Sequence, residues 1–400
     1  MNEPSNPALR RLFWLFAYPF RIFFVVGSLW AALVVILWLL AYQGALQLPL
    51  AQPAIHWHAH EMIHGVTSAM IAGFLLTALA NWTGIPAIRG WALGALFGLW
   101  LAGRLTGLVS AGLPAVWVWL ATPLFYLVVA GLATRDLVRA RNTRNIPMPL
   151  ILCLLGGASG LMVHGSLNWQ WTLVQVGTGL SLYVLLLLMS VIAGRITPAF
   201  SSNWLRMHGR RFDDVRRLPA LDWSALAVLV LLAVADLGGA EPLLIGVLGL
   251  AAGALHLARL WLWRGWRVAG EPLLWILHLG YLCLALSLVA RGALVWFNWP
   301  LSLWYHLIGL GAMGILFVGV MTRVGLGHTG RPLRLPVLGL AIYLVMLAAL
   351  IARLQTLLLP QLGYGTGLIA AGVFWMLAFV LFLVAYMPIL TAPRPDGKAG

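Results

Sequence analysis

The chain has 400 residues, 62% of them apolar and 9% charged, with 25 Lys+Arg against 10 Asp+Glu and a formal charge of +15. Soluble domains carry about 25% charged residues, so a chain of mean hydropathy +0.95 lacks the polar surface to cover itself in water, and lipid is its expected solvent. In a soluble protein the basicity would point to nucleic acid; here no nucleic-acid partner is expected, and the charge is read as topological, because positive residues gather in cytoplasmic loops.

Cys153 and Cys283 are the two cysteines, both in apolar runs, so neither a disulfide framework, a CxxC clip nor a CxxCH site for covalent haem is present. The first long apolar run, Ile22 to Tyr42, exceeds the roughly 7–15 residues of a signal-peptide core and is expected to stay as an anchor.

Spanning elements are expected to be helices, since about 20 apolar residues cross the hydrocarbon layer while satisfying every backbone group internally. Cutting at Pro, Gly, Asn and Arg clusters gives twelve runs in chain order: 20–42, 58–80, 88–104, 114–134, 147–165, 171–193, 220–236, 241–261, 271–292, 302–322, 335–353 and 364–388. With the N-terminus inside, 22 of the 25 positive residues, Lys398 among them, fall on the cytoplasmic side, leaving Arg104, Arg291 and Arg353 outside. The expected fold is therefore all-α, a bundle of twelve transmembrane helices with both termini cytoplasmic. It forms one membrane domain over 1–400, with 194–219 as its longest cytoplasmic loop.

Ionisable groups inside lipid are costly and call for a partner or a purpose. The densest cluster opens the second run: His56, His58, His60, Glu61 and His64, with His60 and His64 four residues apart on one helical face. His306, six residues after Pro300, is placed about 9 Å below the outer end of its run. His164 is also placed near the outer surface, so that three runs bring imidazole to one layer. His278 lies nearer mid-membrane, His256, three residues before Arg259, is within reach of the cytoplasmic interface, and His208 and His328 fall in inner loops.

Neutral imidazole is the commonest ligand for copper and haem iron, and His58, His60, His64 and His306 at one depth favour metal over separately hydrogen-bonded structural histidines. Arg104, Arg291 and Arg353 could pair with haem propionates near the outer face, or could be helix ends that snorkel to headgroups. No carboxylate is placed mid-membrane, which disfavours a conventional proton-driven carrier. Trp57, Trp82, Trp169, Trp204 and Trp299 are assigned to interfacial belts.

Several motifs then carry a resemblance that covers nearly the whole chain in order. They are His58-Ala-His60-Glu61-Met62 running into Ile71-Ala-Gly-Phe-Leu-Leu-Thr77 and Asn81-Trp-Thr-Gly84; Gly194-Arg195-Ile-Thr-Pro198-Ala-Phe; His278-Leu-Gly-Tyr281; His306; and Met321-Thr-Arg323-Val-Gly-Leu-Gly-His328-Thr-Gly-Arg331-Pro332. This set resembles the NnrS family. The resemblance implies a multi-pass protein of the bacterial inner membrane that contains b-type, non-covalent haem and copper and acts in the response to nitric oxide and nitrosative stress, in the setting of denitrification. Carried over by motif, the histidines are His58, His60, His278, His306 and His328, with Glu61, Arg195 and Arg323 as motif polar groups; His64 stands where many members are expected to carry an aromatic residue.

His60 and His306 are the preferred ligands, followed by His58, His64 and His278, with Arg104 and Arg291 as further cofactor contacts. Glu61 is expected to orient a ligand imidazole or to deliver a proton. Beside Arg323 and Arg331, His328 is expected to join Arg195 in an inner polar network or anion site, or simply to fasten helix ends. The expected ligand is nitric oxide or a nitrosylated small molecule bound at a periplasm-facing centre. Whether it is reduced, sequestered or sensed is left open, as are the electron donor and a homodimer. A transporter or metal- or haem-handling permease is the alternative from another class, and would show vectorial uptake in proteoliposomes.

Overall fold

In the computed structural model, residues 6–397 are described; Lys398, placed by sequence among the inner charges, lies outside them. Twelve helices are long and apolar enough to cross a membrane: Pro19–Tyr42, Ala54–Thr83, Trp91–Leu108, Ala115–Arg139, Thr143–Leu167, Trp171–Met207, Pro219–Leu237, Pro242–Leu262, Pro272–Ala293, Ser302–His328, Gly339–Leu358 and Tyr364–Leu390. They are numbered spans 1 to 12. A short helix, Pro7–Leu15, precedes them, capped by the Asn6 side chain on the amides of Ala8 and Leu9. No strand occurs among the described residues. Each span overlaps one of the apolar runs, because a 20-residue window without charge is a signal that tertiary context rarely overrides in a greasy chain.

Two boundaries differ from the sequence reading. Span 6 continues through Pro198 to Met207, so the Gly194–Phe200 motif and Arg195 are helical and only 208–218 remain as a connection. Ser201 Oγ, one turn on, donates to the Thr197 carbonyl at 2.8 Å. Likewise His328 closes the helix Ile315–His328 and is not in a loop. Its ring packs near Tyr18 and Phe20, with centroids 6.5 and 5.7 Å apart.

Spans 2 and 10 change winding inside the membrane region. Glu61–Val66 and Leu307–Gly314 are π-helical, each beginning on the residue after a histidine. Such wide turns free backbone groups and recur at functional positions. In span 2 the freed Gly65 carbonyl accepts from Trp100 Nε1 at 3.1 Å and from Ser68 Oγ at 3.2 Å.

The described residues divide into two compact units, one of 6–181, 321–334 and 379–397, the other of 182–320 and 335–378. In the first, span 1 packs on span 2, span 3 on span 4, and span 4 on both span 2 and span 5. In the second, span 8 packs on spans 7 and 9, and span 10 on spans 9 and 11. Spans 8 and 9 approach through Gly249 and Gly292, where a Cβ on Gly249 would stand 2.7 Å from the Gly292 Cα. Small residues at such crossings let backbones meet where lipid supplies no hydrophobic drive. Large apolar side chains such as Leu231, Val234, Val247 and Ile351 are exposed, as expected of surfaces bathed in lipid rather than water.

Candidate functional site

The first unit buries a charge cluster built from spans 1 to 6. Glu61, with no exposed surface, accepts from Arg104 Nη1 at 2.5 Å and from Trp30 Nε1 at 2.8 Å on one oxygen, and from His60 Nδ1 at 3.1 Å on the other. Arg104 donates its second amino group to Thr122 Oγ1 at 2.6 Å. Gly65 is required here, since a Cβ would collide with both the Arg104 guanidinium and the Glu61 carboxylate. Four hydrogen bonds on a buried ion pair are what offset its desolvation.

The imidazoles beside it have defined donor roles. His60 Nδ1–H points to the Glu61 carboxylate, so Ser159 Oγ–H donates to Nε2 at 2.9 Å. Ser181 spends its proton on the Gly177 carbonyl at 2.7 Å, so His64 Nε2–H donates to Ser181 Oγ at 2.9 Å, and Tyr126 OH donates to His64 Nδ1 at 3.3 Å. The two rings are 5.1 Å apart. His58 stacks on Trp38 at 4.6 Å, and His56 Nδ1 meets Ser166 Oγ at 2.9 Å. His164 is exposed, against Trp119 at 6.1 Å and Asn168, and so does not join the interior cluster its depth suggested. Trp57, assigned by sequence to a belt, is fully buried.

The second unit carries two further networks and two histidines of a different kind. At one end Arg291 clamps Asp236 with Nε at 2.7 Å and Nη2 on the other oxygen, Tyr183 OH donates to the same carboxylate at 2.5 Å, and the guanidinium lies 5.6 Å from the Trp304 ring centre. Internal carboxylates thus meet the charges of both Arg104 and Arg291. Elsewhere in the unit Arg259 donates to Asp222 at 2.8 Å, to Ser190 Oγ at 2.8 Å and to Tyr281 OH at 2.5 Å. His256 is fully buried beside them, donating from Nδ1 to the Ala252 carbonyl at 2.8 Å and accepting from Ser190 at 2.9 Å. Sequence reasoning missed this network. Its one signal was Asp222, Arg259 and Tyr281 on neighbouring spans, and nothing in chain order pairs them.

His306 and His278 each keep a ring nitrogen unclaimed. His306 Nδ1–H donates to the Ser302 carbonyl at 2.7 Å, which leaves the Nε2 lone pair available in the tautomer that metal-bound histidines use. Ser201 gives its proton to Thr197, so it accepts from His278 Nε2–H at 3.0 Å. His278 Nδ1 is then a buried lone pair without a partner. It faces Gly265, where a Cβ would stand 2.7 Å away and close the space.

A haem iron takes one imidazole on a face, and His306 Nε2 meets that demand, whereas His278 Nδ1 is covered by Gly265 and is closed to a haem as arranged. A copper ion takes two or three imidazoles. The nearest pair, His60 and His64, has all four ring nitrogens in protein hydrogen bonds and does not fit copper as arranged. Among the described residues no three His, Cys, Asp or Glu form a metal-holding group.

At the remaining end of the first unit, Arg21 donates to the carbonyls of Leu390 and Ala392, both at 2.7 Å, and Arg394 donates to the His328 carbonyl at 3.0 Å. Arginines on orphan carbonyls are helix-end fastenings, and His328 sits among them. Arg195 and Arg323 are half-buried and engaged within the protein.

A chain with twelve helices long and apolar enough to cross a membrane, and with ion pairs and imidazoles buried among them, is a multi-pass membrane protein. The family described as "NnrS protein" has a model that matches residues 14–394, and the chain belongs to the NnrS family. No curated protein matches the sequence.

Proposed function

We propose that this protein is a haem-binding component of the nitric oxide response in the bacterial inner membrane, binding nitric oxide or a nitrosylated small molecule at a periplasm-facing, imidazole-held centre. The observation that carries this reading is the His306 ring, locked through Nδ1–H on the Ser302 carbonyl so that Nε2 is presented as a lone pair. Family membership supports the physiological setting.

In this reading His306 is the haem ligand. Haem iron held by imidazole with an open position supplies binding of diatomic gases. The chain's own residues do the rest. The Ser302 carbonyl fixes the His306 tautomer, and the turn Leu307–Gly314 sets the ring at the junction of two helical windings. Leu303, Leu307 and Leu357 with Ala290 form an apolar cluster around that first turn of span 10 and exclude water. Copper enters the reading through the family resemblance alone, and no step is assigned to it.

The test is an optical spectrum and metal content of protein purified from cells supplied with haem and copper. The expected result is a Soret band with stoichiometric iron that shifts on adding nitric oxide and is lost or altered in His306→Ala. Protein with neither Soret absorption nor bound metal refutes the reading.

A further inference from the structure

The buried arginines of this protein are not alike. Arg104 has Glu61, Arg259 has Asp222, and Arg21 has two helix-end carbonyls. Arg353, near the end of span 11, has none of these among the described residues. Its exposure is 9%, so it does not snorkel to a headgroup layer. Its guanidinium reaches Thr356 Oγ1 from Nη1 at 3.3 Å, and Nε is buried without a hydrogen-bond partner. The Thr356 hydroxyl is itself turned away, donating to the Arg353 carbonyl at 2.7 Å.

Around this cation the protein supplies hydrocarbon. Leu354 and Leu357, its neighbours on span 11, pack on Leu303 and Leu307 of span 10 and on Ala290 of span 9. The first turn of span 10, Ser302–His306, packs on span 11, the helix that carries Arg353. An isolated cation in such surroundings costs several kcal/mol unless a counter-ion completes it. Guanidinium is the side chain whose planar fork matches a two-oxygen anion.

We infer that Arg353 is the anchor of a binding site for a carboxylate-like oxyanion beside His306, with Nε and an amino group of the guanidinium as the paired donors. The anion comes either as a small free ion such as formate or nitrite, or as a carboxylate of a bound porphyrin. The second source rests on the haem reading proposed above; the first does not. The arrangement makes one consequence unusual: with the site empty, neutralising the arginine relieves the protein of an uncompensated charge, whereas neutralising Arg104 or Arg291 strands a carboxylate.

The experiment uses the full chain in detergent, comparing wild type, Arg353→Gln and Arg353→Lys. Unfolding is followed without ligand and across a formate or nitrite titration at constant ionic strength. In parallel, retention of haem is compared with retention of haem dimethyl ester. Without ligand, Arg353→Gln is expected to be at least as stable as wild type. Saturable stabilisation of wild type by formate or nitrite, weakened tenfold or more in Arg353→Gln and partly kept in Arg353→Lys, assigns the site to a free anion. Tighter retention of haem than of its ester in wild type, with the preference lost in Arg353→Gln, assigns it to a porphyrin carboxylate. A destabilised Arg353→Gln without ligand means the side chain is structural and overturns the proposal. So does any result in which wild type shows neither signature, or the variants respond as wild type does. Failure of every sample to bind haem sinks the haem reading, and the free-anion titration then decides the role of Arg353 by itself.

Discussion

Replacing Arg104 by methionine removes one half of the ion pair at the centre of the first unit while keeping much of the side chain's volume. Arg104 and Glu61 are 1% and 0% exposed, so the carboxylate left behind cannot turn to water. It keeps the Trp30 and His60 donors at 2.8 and 3.1 Å, and Thr122 loses its guanidinium donor. Breaking a buried pair in this way costs about 3–5 kcal/mol, because the remaining charge is uncompensated. The double variant Glu61→Gln with Arg104→Met leaves no stranded charge and should recover most of the loss, giving a coupling energy of about 2–3 kcal/mol between the two sites. Reversible unfolding by sodium dodecyl sulfate in mixed micelles would give the four stabilities of the cycle. Additive losses, or an Arg104→Met protein within about 1 kcal/mol of wild type, would refute the claim that the pair is a buried, mutually dependent unit.

Two further predictions use the same measurement. Gly65→Ala places a methyl group against the Arg104–Glu61 contact and should cost about 1–3 kcal/mol through overpacking; an unchanged midpoint would mean that the turn Glu61–Val66 can yield. Arg291→Lys keeps the charge opposite Asp236 but cannot clamp both carboxylate oxygens, and should lose about 1.5–3 kcal/mol as a charge-assisted hydrogen bond disappears, whereas full retention of stability would show that charge alone suffices there.

Much of the architecture is legible in the amino-acid order, and the candidate site far less so. The twelve apolar runs locate the twelve spans to within a few residues at most ends. The exceptions, span 6 past Pro198 and span 10 to His328, fall where polar motifs interrupt the apolar signal while the backbone stays helical. The histidine-rich start of span 2 marks a buried cluster, and its neighbour Glu61 does stand against His60. Counting residues along a helix says nothing of azimuth. His164 is exposed, whereas His256 is buried against Ser190.

Composition and the spacing of apolar segments by themselves determined how many helices are long and apolar enough to cross a membrane, and where they lie in the chain, because a backbone in hydrocarbon must satisfy its polar groups within the local segment. The motifs, in order along the chain, determined the family. Which polar groups meet was decided only by tertiary packing. Arg104 finds Glu61, Arg291 finds Asp236 and Arg259 finds Asp222 through helix rotation and crossing, which residues far apart in sequence set jointly. The same packing left His306 Nε2, His278 Nδ1 and the Arg353 guanidinium without protein partners suited to them. A side chain's hydrogen-bond vacancy is a property of its whole surroundings in space, and no count along the chain contains it.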